Sequence, residues 1–492
     1  MNFDMVWKNV WDLLSFPFQH LLVINCLLSI VIIFFQRKNP ASVWTWLLIL
    51  YFIPVAGFVF YLLIGGDMHK SRMFRTKELE DHIHEAIRSQ EASIRTRTLQ
   101  EEWPHLKKYS DLIYYNLESA GAMLTDNNRI RIFTDGNEKF GALIEDMKQA
   151  REFIHIQYYI IKNDVLFQRI SDVLVEKAKE GVEIRILCDG MGGRFVSRRF
   201  WQKLRDCGIH TAVFFPPLLG PLNLRINYRN HRKIAVIDGC VGYVGGFNVG
   251  KEYVGLDDRF GYWRDTHLRI EGAAVANLHV RFILDWNYAS RDSLPDEEER
   301  YFRQPEERLG KSQIQIISSG PDSNLQNVRN NYLRLINKAE KSIYIQTPYF
   351  IPDDAIFSAL VVAAYSGVEV NIMIPCKPDH PFVYWATYSY IGDLVMAGAK
   401  CYTYDNGFLH AKGLIVDEQV LCYGTANMDI RSFKLNFEVN AVVYDEKEAV
   451  KMVEAFQKDL EVCTCITRDL YASRGLIVRF KEQVCRLLSP LL

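Results

Sequence analysis

A pattern written twice constrains this chain more than any other feature. Residues 227–238 read Asn-Tyr-Arg-Asn-His-Arg-Lys-Ile-Ala-Val-Ile-Asp, and the same His-x-Lys, four residues and Asp return as His410, Lys412 and Asp417. An Asn follows each copy at the same distance, Asn248 in the first and Asn427 in the second. Between Lys and Asp both copies carry the apolar run of a buried strand, 234–237 and 414–416. Alternate side chains of a strand share a face, so His231 and Lys233 point the same way, as do His410 and Lys412. Two copies in register set aside the ordinary reading of a lone His-x-Lys as a solvated surface pair.

The rest of the chain is repeated around these copies. Ile130-Arg131-Ile132 has a counterpart in Ile314-Gln315-Ile316, and a helix-like segment follows each, 140–150 and 328–339. Residues 153–159 then match 343–349, and 181–186 match 367–372. Strand, helix, strand, helix, strand, twice over, predicts two α/β lobes, 126–310 and 311–492, with mixed or parallel sheets. Related lobes packed about a pseudo-two-fold axis would bring both His-Lys strands to one interface.

The first 66 residues are of a different material. Residues 21–35 are almost unbroken apolar sequence, and residues 41–66 run without a charge. A bilayer span needs about 20 apolar residues, so the pair, joined at 36–40, reads as a two-helix transmembrane hairpin. A cleaved signal peptide fits poorly, since Asp4 and Asp12 spoil a basic start and a second span follows at once. Arg37 and Lys38 sit in the turn, whereas Lys8, Lys70, Arg72, Arg75 and Lys77 flank the other side. The excess places both ends, and the lobes, in the cytoplasm of a multi-pass membrane protein. Residues 67–125 read as a juxtamembrane helical connector, with helical patches at 77–97 and 112–123.

Composition narrows the partners. With 58 basic and 59 acidic residues the chain has no excess positive charge of the kind nucleic acid recruits. Ten Cys are scattered without a CxxC pair, which predicts reduced, buried thiols rather than a disulfide framework or a zinc site.

Two His and two Lys converging on one place suit a phosphate. Lys233 and Lys412 can hold its non-bridging oxygens, and Asn248 and Asn427 can add hydrogen bonds. One imidazole can attack phosphorus while the other protonates the leaving alkoxide and then deprotonates an incoming alcohol. Each imidazole needs an acidic orienter, for which Asp265 and Glu438 are the candidates. Zinc is disfavoured, because two ammonium groups would repel it. Neither metal nor cofactor is expected.

These residues resemble the phospholipase D superfamily, whose signature is the duplicated motif followed by Asn. With the hairpin, Gly245-Gly246-Phe247-Asn248, Trp263-Arg264-Asp265, Thr347-Pro348-Tyr349 and Phe408-Leu409-His410, the whole chain resembles the bacterial cardiolipin synthases. The resemblance implies a membrane-bound phosphatidyltransferase. Phosphatidylglycerol would be both donor and acceptor, glycerol and cardiolipin the products, and phosphohistidine the intermediate. It implies His231 as nucleophile and His410 as acid and base, which the symmetry of the sequence cannot itself decide. Asp238 and Asp417 complete the signature and count with the catalytic set, although their place beyond a strand suits bracing. No residue names the acceptor, so a hydrolase using water, or a transferase using another alcohol, stays open. A nuclease or a non-catalytic scaffold of the same fold fits less well.

Two stretches have an open role. Residues 214–222, apolar and rich in Pro and Gly, would dip into the bilayer or fill the core, and Arg194, Arg198, Arg199, Lys203 and Arg205 would form a headgroup patch or a solvated helix face. The amphipathic tail 476–492 reads as an interfacial helix or a packing element.

Overall fold

The computed structural model describes residues 23–34, 40–53, 56–64, 90, 92–94, 101–216, 227–294, 299–303, 307–323, 325–377 and 379–489. The first lobe contributes seven long strands: β1 (Leu124–Phe133), β2 (Phe153–Tyr158), β3 (Glu183–Asp189), β4 (His210–Phe214), β5 (Ile234–Ile237), β6 (Val241–Gly245) and β7 (His267–Gly272). The second repeats them as β8 (Ser312–Ser319), β9 (Ser342–Gln346), β10 (Glu369–Pro375), β11 (Lys400–Tyr404), β12 (Gly413–Val416), β13 (Val420–Gly424) and β14 (Asn436–Tyr444), and adds the edge strand β15 (Cys463–Cys465).

The strands form one continuous sheet in the order β15-β11-β10-β9-β12-β13-β14-β8-β1-β7-β6-β5-β2-β3-β4. Reading outward from the central pair β8 and β1, each half has the same order, so the pseudo-two-fold axis passes between them. That pair is antiparallel, with Leu124 opposite Gln315. β2, β3 and β4 run parallel, as do β9, β10 and β11, while the motif strands β5 and β12 pair antiparallel to β2 and β9. The mixed sheet expected of each lobe is therefore half of a larger one.

Helices cover both faces. On one face the two lobes keep separate cores, one around Phe140, Leu166 and Ile184, the other around Leu335, Leu360 and Ile391. On the other face a single core runs through both lobes, filled by helix Ala274–Ala289 from the first (Leu278, Phe282, Trp286) and helix Glu446–Leu460 from the second (Met452, Phe456). Apolar burial is worth about 25 cal/mol per Å², so a core shared across the axis fixes the relative position of the lobes. Within the expected connector, helix Ser110–Ala120 packs Leu112, Ile113 and Leu117 into the second lobe's core.

Near the amino terminus the described helices span 23–34, Pro40–Phe52 and Ala56–Ile64. None of the described helices is long and apolar enough to cross a membrane. Helical bonding reaches into the break between the last two, since the Ile53 N–H bonds the Ile49 carbonyl and the Gly57 N–H bonds the Ile53 carbonyl. Pro54, which has no N–H to donate, stands at that break. The charges used to orient the hairpin lie outside the described residues, as do 1–22 and 65–89.

The signature aspartates Asp238 and Asp417, grouped above with the catalytic set, brace the fold through backbone contacts. Asp238 accepts from the backbone N–H groups of Arg151, Glu152 and Phe153 at 2.8, 2.9 and 2.9 Å, and so seats the start of β2. Asp417 does the same for Glu340, Lys341 and Ser342 at the start of β9, and adds Lys108 at 2.7 Å. Both adopt left-handed φ, 51° and 53°, which Asp tolerates in a tight turn. The position past the strand, facing the neighbouring strand's first residues, makes them backbone acceptors.

Two other expectations change. All ten Cys are unpaired thiols, but only Cys188, Cys401, Cys422 and Cys485 are buried, and Cys26, Cys207, Cys240 and Cys465 are exposed. Phe214 and Phe215, which open the apolar loop, pack against Tyr288 and Phe437 inside the protein. The loop's remainder, 217–222, lies outside the described residues.

Replacing Asp238 by Ala removes three backbone partners and strains the left-handed turn, and is expected to cost about 3 kcal/mol of stability. Asp238→Asn keeps one carbonyl acceptor and tolerates that φ, so it should cost about half as much. Thermal unfolding gives both values, and turnover per folded enzyme should stay near that of the parent.

Candidate active site

The two motif histidines meet across the axis, and each is held by the other lobe. Strand Arg229–Asn230, just before His231, pairs with Asn436–Phe437 of the second lobe. Strand Phe408–Leu409, just before His410, pairs with Trp263–Arg264 of the first. These short parallel pairs deliver Glu438 to His231 and Asp265 to His410. Nδ1 of His231 lies 3.0 and 3.1 Å from the two Glu438 oxygens, and Nδ1 of His410 lies 2.6 Å from Oδ2 of Asp265. Each orienter therefore serves the histidine of the opposite motif.

The two acids occupy equivalent places although their sequence distances differ. In β6 and β7, Gly245 pairs with His267, two residues after Asp265; in β13 and β14, Gly424 pairs with Asn440, two residues after Glu438. The additional residues of the first lobe are taken up between Asn248 and Trp263, where a short 3-10 turn, Lys251–Val254, intervenes. The next position in each copy is tuned to its acid. A Cβ on Gly246 would fall 1.9 Å from Oδ1 of Asp265, so only glycine leaves room for that carboxylate. The equivalent Thr425 instead donates its hydroxyl to Oε2 of Glu438 at 2.6 Å. Asn436 Nδ2 and the Thr266 backbone N–H complete the two carboxylates' shells.

Lys233 Nζ donates to the His231 carbonyl at 2.7 Å, and Lys412 donates likewise to the His410 carbonyl. Each ammonium has three N–H groups, so each retains donors for a ligand. Lys412 also stands 2.7 Å from Nδ1 of His410 and 3.9 Å from Asp265.

Both imidazoles are buried, and burial lowers them from 6.5 to about 4; at His231 the Glu438 charge opposes this, while at His410 Lys412 reinforces it. Burial pushes the two carboxylates up, but Lys412 and His410 outweigh it at Asp265, and His231 and Lys233 at Glu438, so both stay below their ordinary values. Burial lowers Lys412 to about 8 and Lys233 well below its usual range. At neutral pH the rings are thus neutral and the acids charged. A charged carboxylate only accepts, so the ring proton sits on Nδ1 and the lone pair faces out on Nε2.

Both amide atoms of Asn248 are engaged, whereas Asn427 engages its nitrogen and leaves a buried oxygen without a partner among the described residues. Asn248 accepts from the Ile160 N–H at 3.0 Å and donates to the Tyr253 hydroxyl at 3.0 Å, while Asn427 donates to Asp429 at 3.1 Å.

Aromatic and buried polar neighbours support the two motifs. The Tyr159 ring lies 5.0 Å from His231 and the Trp263 ring 5.1 Å from His410. Behind the motifs, Gln157 and Gln346, which recur in the repeat, reach Asp285 and Asp459 at 2.6 and 3.0 Å. Arg232 pairs with Asp285 at 2.5 Å, and Arg264 with Asp459 at 2.7 Å, the second crossing between the lobes. The recurrence of Gln in both copies was the clue to these struts, beside the Trp263-Arg264-Asp265 stretch. Of the arginine-rich segment, helix Arg198–Asp206 buries Trp201 and Leu204 and turns its basic residues outward.

Residues 143–286 and 332–460 match the family described as cardiolipin synthase, phospholipase D-like domain, and residues 23–66 match the phospholipase D-nuclease N-terminal family. The chain belongs to the phospholipase D-like cardiolipin synthase family. It is 48% identical to the major cardiolipin synthase of Bacillus subtilis (strain 168), over 96% of this chain and 98% of that one. It is 47% identical to a cardiolipin synthase of Listeria innocua serovar 6a, over 98% of this chain and all of that one. A phosphatidylserine synthase structure from Haemophilus influenzae Rd KW20 shares the fold, with a TM-score of 0.59 and 16% identity over 74% of this chain and 95% of that chain. Membership matches the geometry: a duplicated phospholipase D motif is closed into one site by the pseudo-two-fold axis.

The electrostatics have a measurable sign. Nitrogen chemical shifts of His231 and His410 in the ligand-free enzyme should titrate near 4 rather than 6.5. Because the unfolded rings take up protons first, the stability these groups confer is present above pH 6.5 and falls as pH drops toward 4. Glu438→Gln removes the charge that supports protonation of His231, so that ring should titrate lower still. Loss of its orienter should reduce kcat by about 10–100-fold with KM little changed.

Proposed function

We propose that this enzyme transfers a phosphatidyl group from one phosphatidylglycerol to another, releasing glycerol and forming cardiolipin through a phosphohistidine. The observation that carries this reading is the pair of carboxylate-oriented, neutral imidazoles flanked by two lysines. Nε2 of His231 attacks the phosphodiester phosphorus while Lys233 and Lys412 hold the non-bridging oxygens. The P–N bond forms as the P–O bond to glycerol breaks. His410 gives a proton to the departing glycerol oxygen, then takes one from the primary hydroxyl of the second phosphatidylglycerol. That oxygen forms the new P–O bond, the P–N bond breaks, and the enzyme is restored.

His410 is neutral in the empty site and takes up a proton from water as the substrate binds. An anionic phosphodiester beside the ring favours the imidazolium, so binding raises its proton affinity at the step that needs an acid. Assignment of His231 as nucleophile has support in the contacts. Its Nδ1 faces the Glu438 carboxylate, whereas the Lys412 amine crowds Nδ1 of His410 at 2.7 Å beside Asp265. A ring that becomes a cationic phosphohistidine is better placed away from such a neighbour.

The enzyme works on a bilayer lipid, and residues 1–66 form its membrane anchor, with both ends and the lobes on the cytoplasmic side. The match of 23–66 to an N-terminal family, and the exposed Leu27, Ile30, Phe34, Trp44 and Leu48 on its helices, support an anchor surrounded by lipid. The charges that flank it support the orientation.

The test is product analysis of the purified full-length enzyme in mild detergent, with phosphatidylglycerol as the only lipid and EDTA present. Cardiolipin with an equimolar amount of glycerol is expected, and phosphatidic acid in its place would make water the acceptor. His231→Ala and His410→Ala should each lower turnover by about a thousandfold or more while melting near the parent. With phosphate-labelled lipid, acid-labile label should accumulate on the His410→Ala protein and be missing from His231→Ala; the reverse pattern would exchange the two roles.

A further inference from the structure

The carboxy-terminal helix, Leu476–Leu487, has one face inside the protein and a second that nothing described covers. At about 100° per residue, Leu476, Ile477, Phe480, Val484 and Leu487 fall within roughly one quarter to one third of its circumference. Leu476, Ile477, Phe480 and Leu487 are 82, 72, 70 and 73% exposed, values opposite to those of large apolar side chains in a packing element. Glu482 and Cys485, on the far side, are buried. Lys481 borders the apolar arc on one edge, and Arg479 and Arg486 on the other.

The helix is not loosely attached. Glu482 pairs with Arg474 at 3.3 Å, Arg486 with Asp393 at 2.5 Å, and Lys481 lies 5.4 Å from the Trp385 ring. Asp393 and Trp385 belong to helix Pro381–Ala397, so the polar side is clamped to the second lobe and the apolar side is held outward. The exposed face is also continuous with the amino-terminal helices. Leu487 and Leu488 line one cavity of about 740 Å³ together with Trp44, Leu48 and Ile49 of helix Pro40–Phe52, where Trp44 and Leu48 are themselves exposed.

We propose that helix Leu476–Leu487 is an interfacial membrane-docking element, with its apolar face in the acyl region of an anionic bilayer and Arg479 and Lys481 at the phosphates. The occupant is a phospholipid surface rather than a protein groove, because the face is edged by Arg479 on one side and Lys481 on the other and meets the apolar helix Pro40–Phe52 at that cavity. Each basic group near such a surface adds to the attraction, and burial of the five apolar side chains supplies the remainder. Docking fixes the lobe at a second point besides the hairpin, which holds the active site at a constant height above the bilayer. The inference rests on the reading that the substrate is a bilayer phospholipid.

The test compares the parent, a full-length Ile477→Glu/Phe480→Glu variant, and F480W. In mixed detergent micelles, where lipid reaches the site without docking, the double variant should form cardiolipin within twofold of the parent. In vesicles of phosphatidylglycerol and phosphatidylcholine its rate should fall at least tenfold. In the same vesicles F480W should show fluorescence, beyond that of the parent, quenched by phospholipids brominated near the upper acyl carbons. Absence of that quenching overturns the proposal, whether the cover proves to be a second copy or another segment of this chain. Equal activity of the double variant and the parent in vesicles overturns it as well. A parent that makes no cardiolipin in micelles sinks the reaction assigned above, and F480W quenching still decides the docking helix.

Discussion

Each active-site imidazole is held by a carboxylate that belongs to the other half of the molecule, and most of the structure follows from that crossing. Ionised acids and lysines removed from water are costly unless they meet partners. Here the carboxylates of Asp265 and Glu438 face the amines of Lys412 and Lys233 beside the two rings. The crossing sets each acid against a ring of the other half. It also demands that the lobes keep their spacing, which the shared core, the β1–β8 pair and the Arg264–Asp459 strut maintain.

Symmetry supplies the framework, and small departures from it supply roles. Strand order, the signature aspartates and the buried Gln residues repeat faithfully in both halves. The position before each motif's final Asn-containing turn does not. Gly246 clears space for the shorter Asp265, whereas Thr425 reaches out to the longer Glu438.

The site also has to meet a lipid, and the periphery is shaped by that requirement. Apolar side chains stay exposed on the amino-terminal helices and on the carboxy-terminal helix, while the second lobe's ion pairs fix the latter's orientation. Pro54 lies in the sequence between helices Pro40–Phe52 and Ala56–Ile64, within an otherwise uncharged run. Hydrophobicity predicts a span there, and none of the described helices is long and apolar enough to be one.

Read alone, the sequence determined the repeat, the strand and helix order of each lobe, and the four basic and two acidic residues that the fold gathers at the candidate site, because periodicity and residue chemistry are local properties. Gln157 and Gln346 were visible in the repeat without a purpose, since a buried strut has meaning only when its partner helix is in place. The tertiary structure alone decided that the lobes share one sheet and one core, that each acid serves the opposite histidine, and that Asp238 and Asp417 brace backbone. It also decided which face of the tail helix is buried. In each case the deciding partner lies far along the chain, and only packing across the pseudo-two-fold axis, or against a neighbouring helix, brings it within hydrogen-bonding or van der Waals reach.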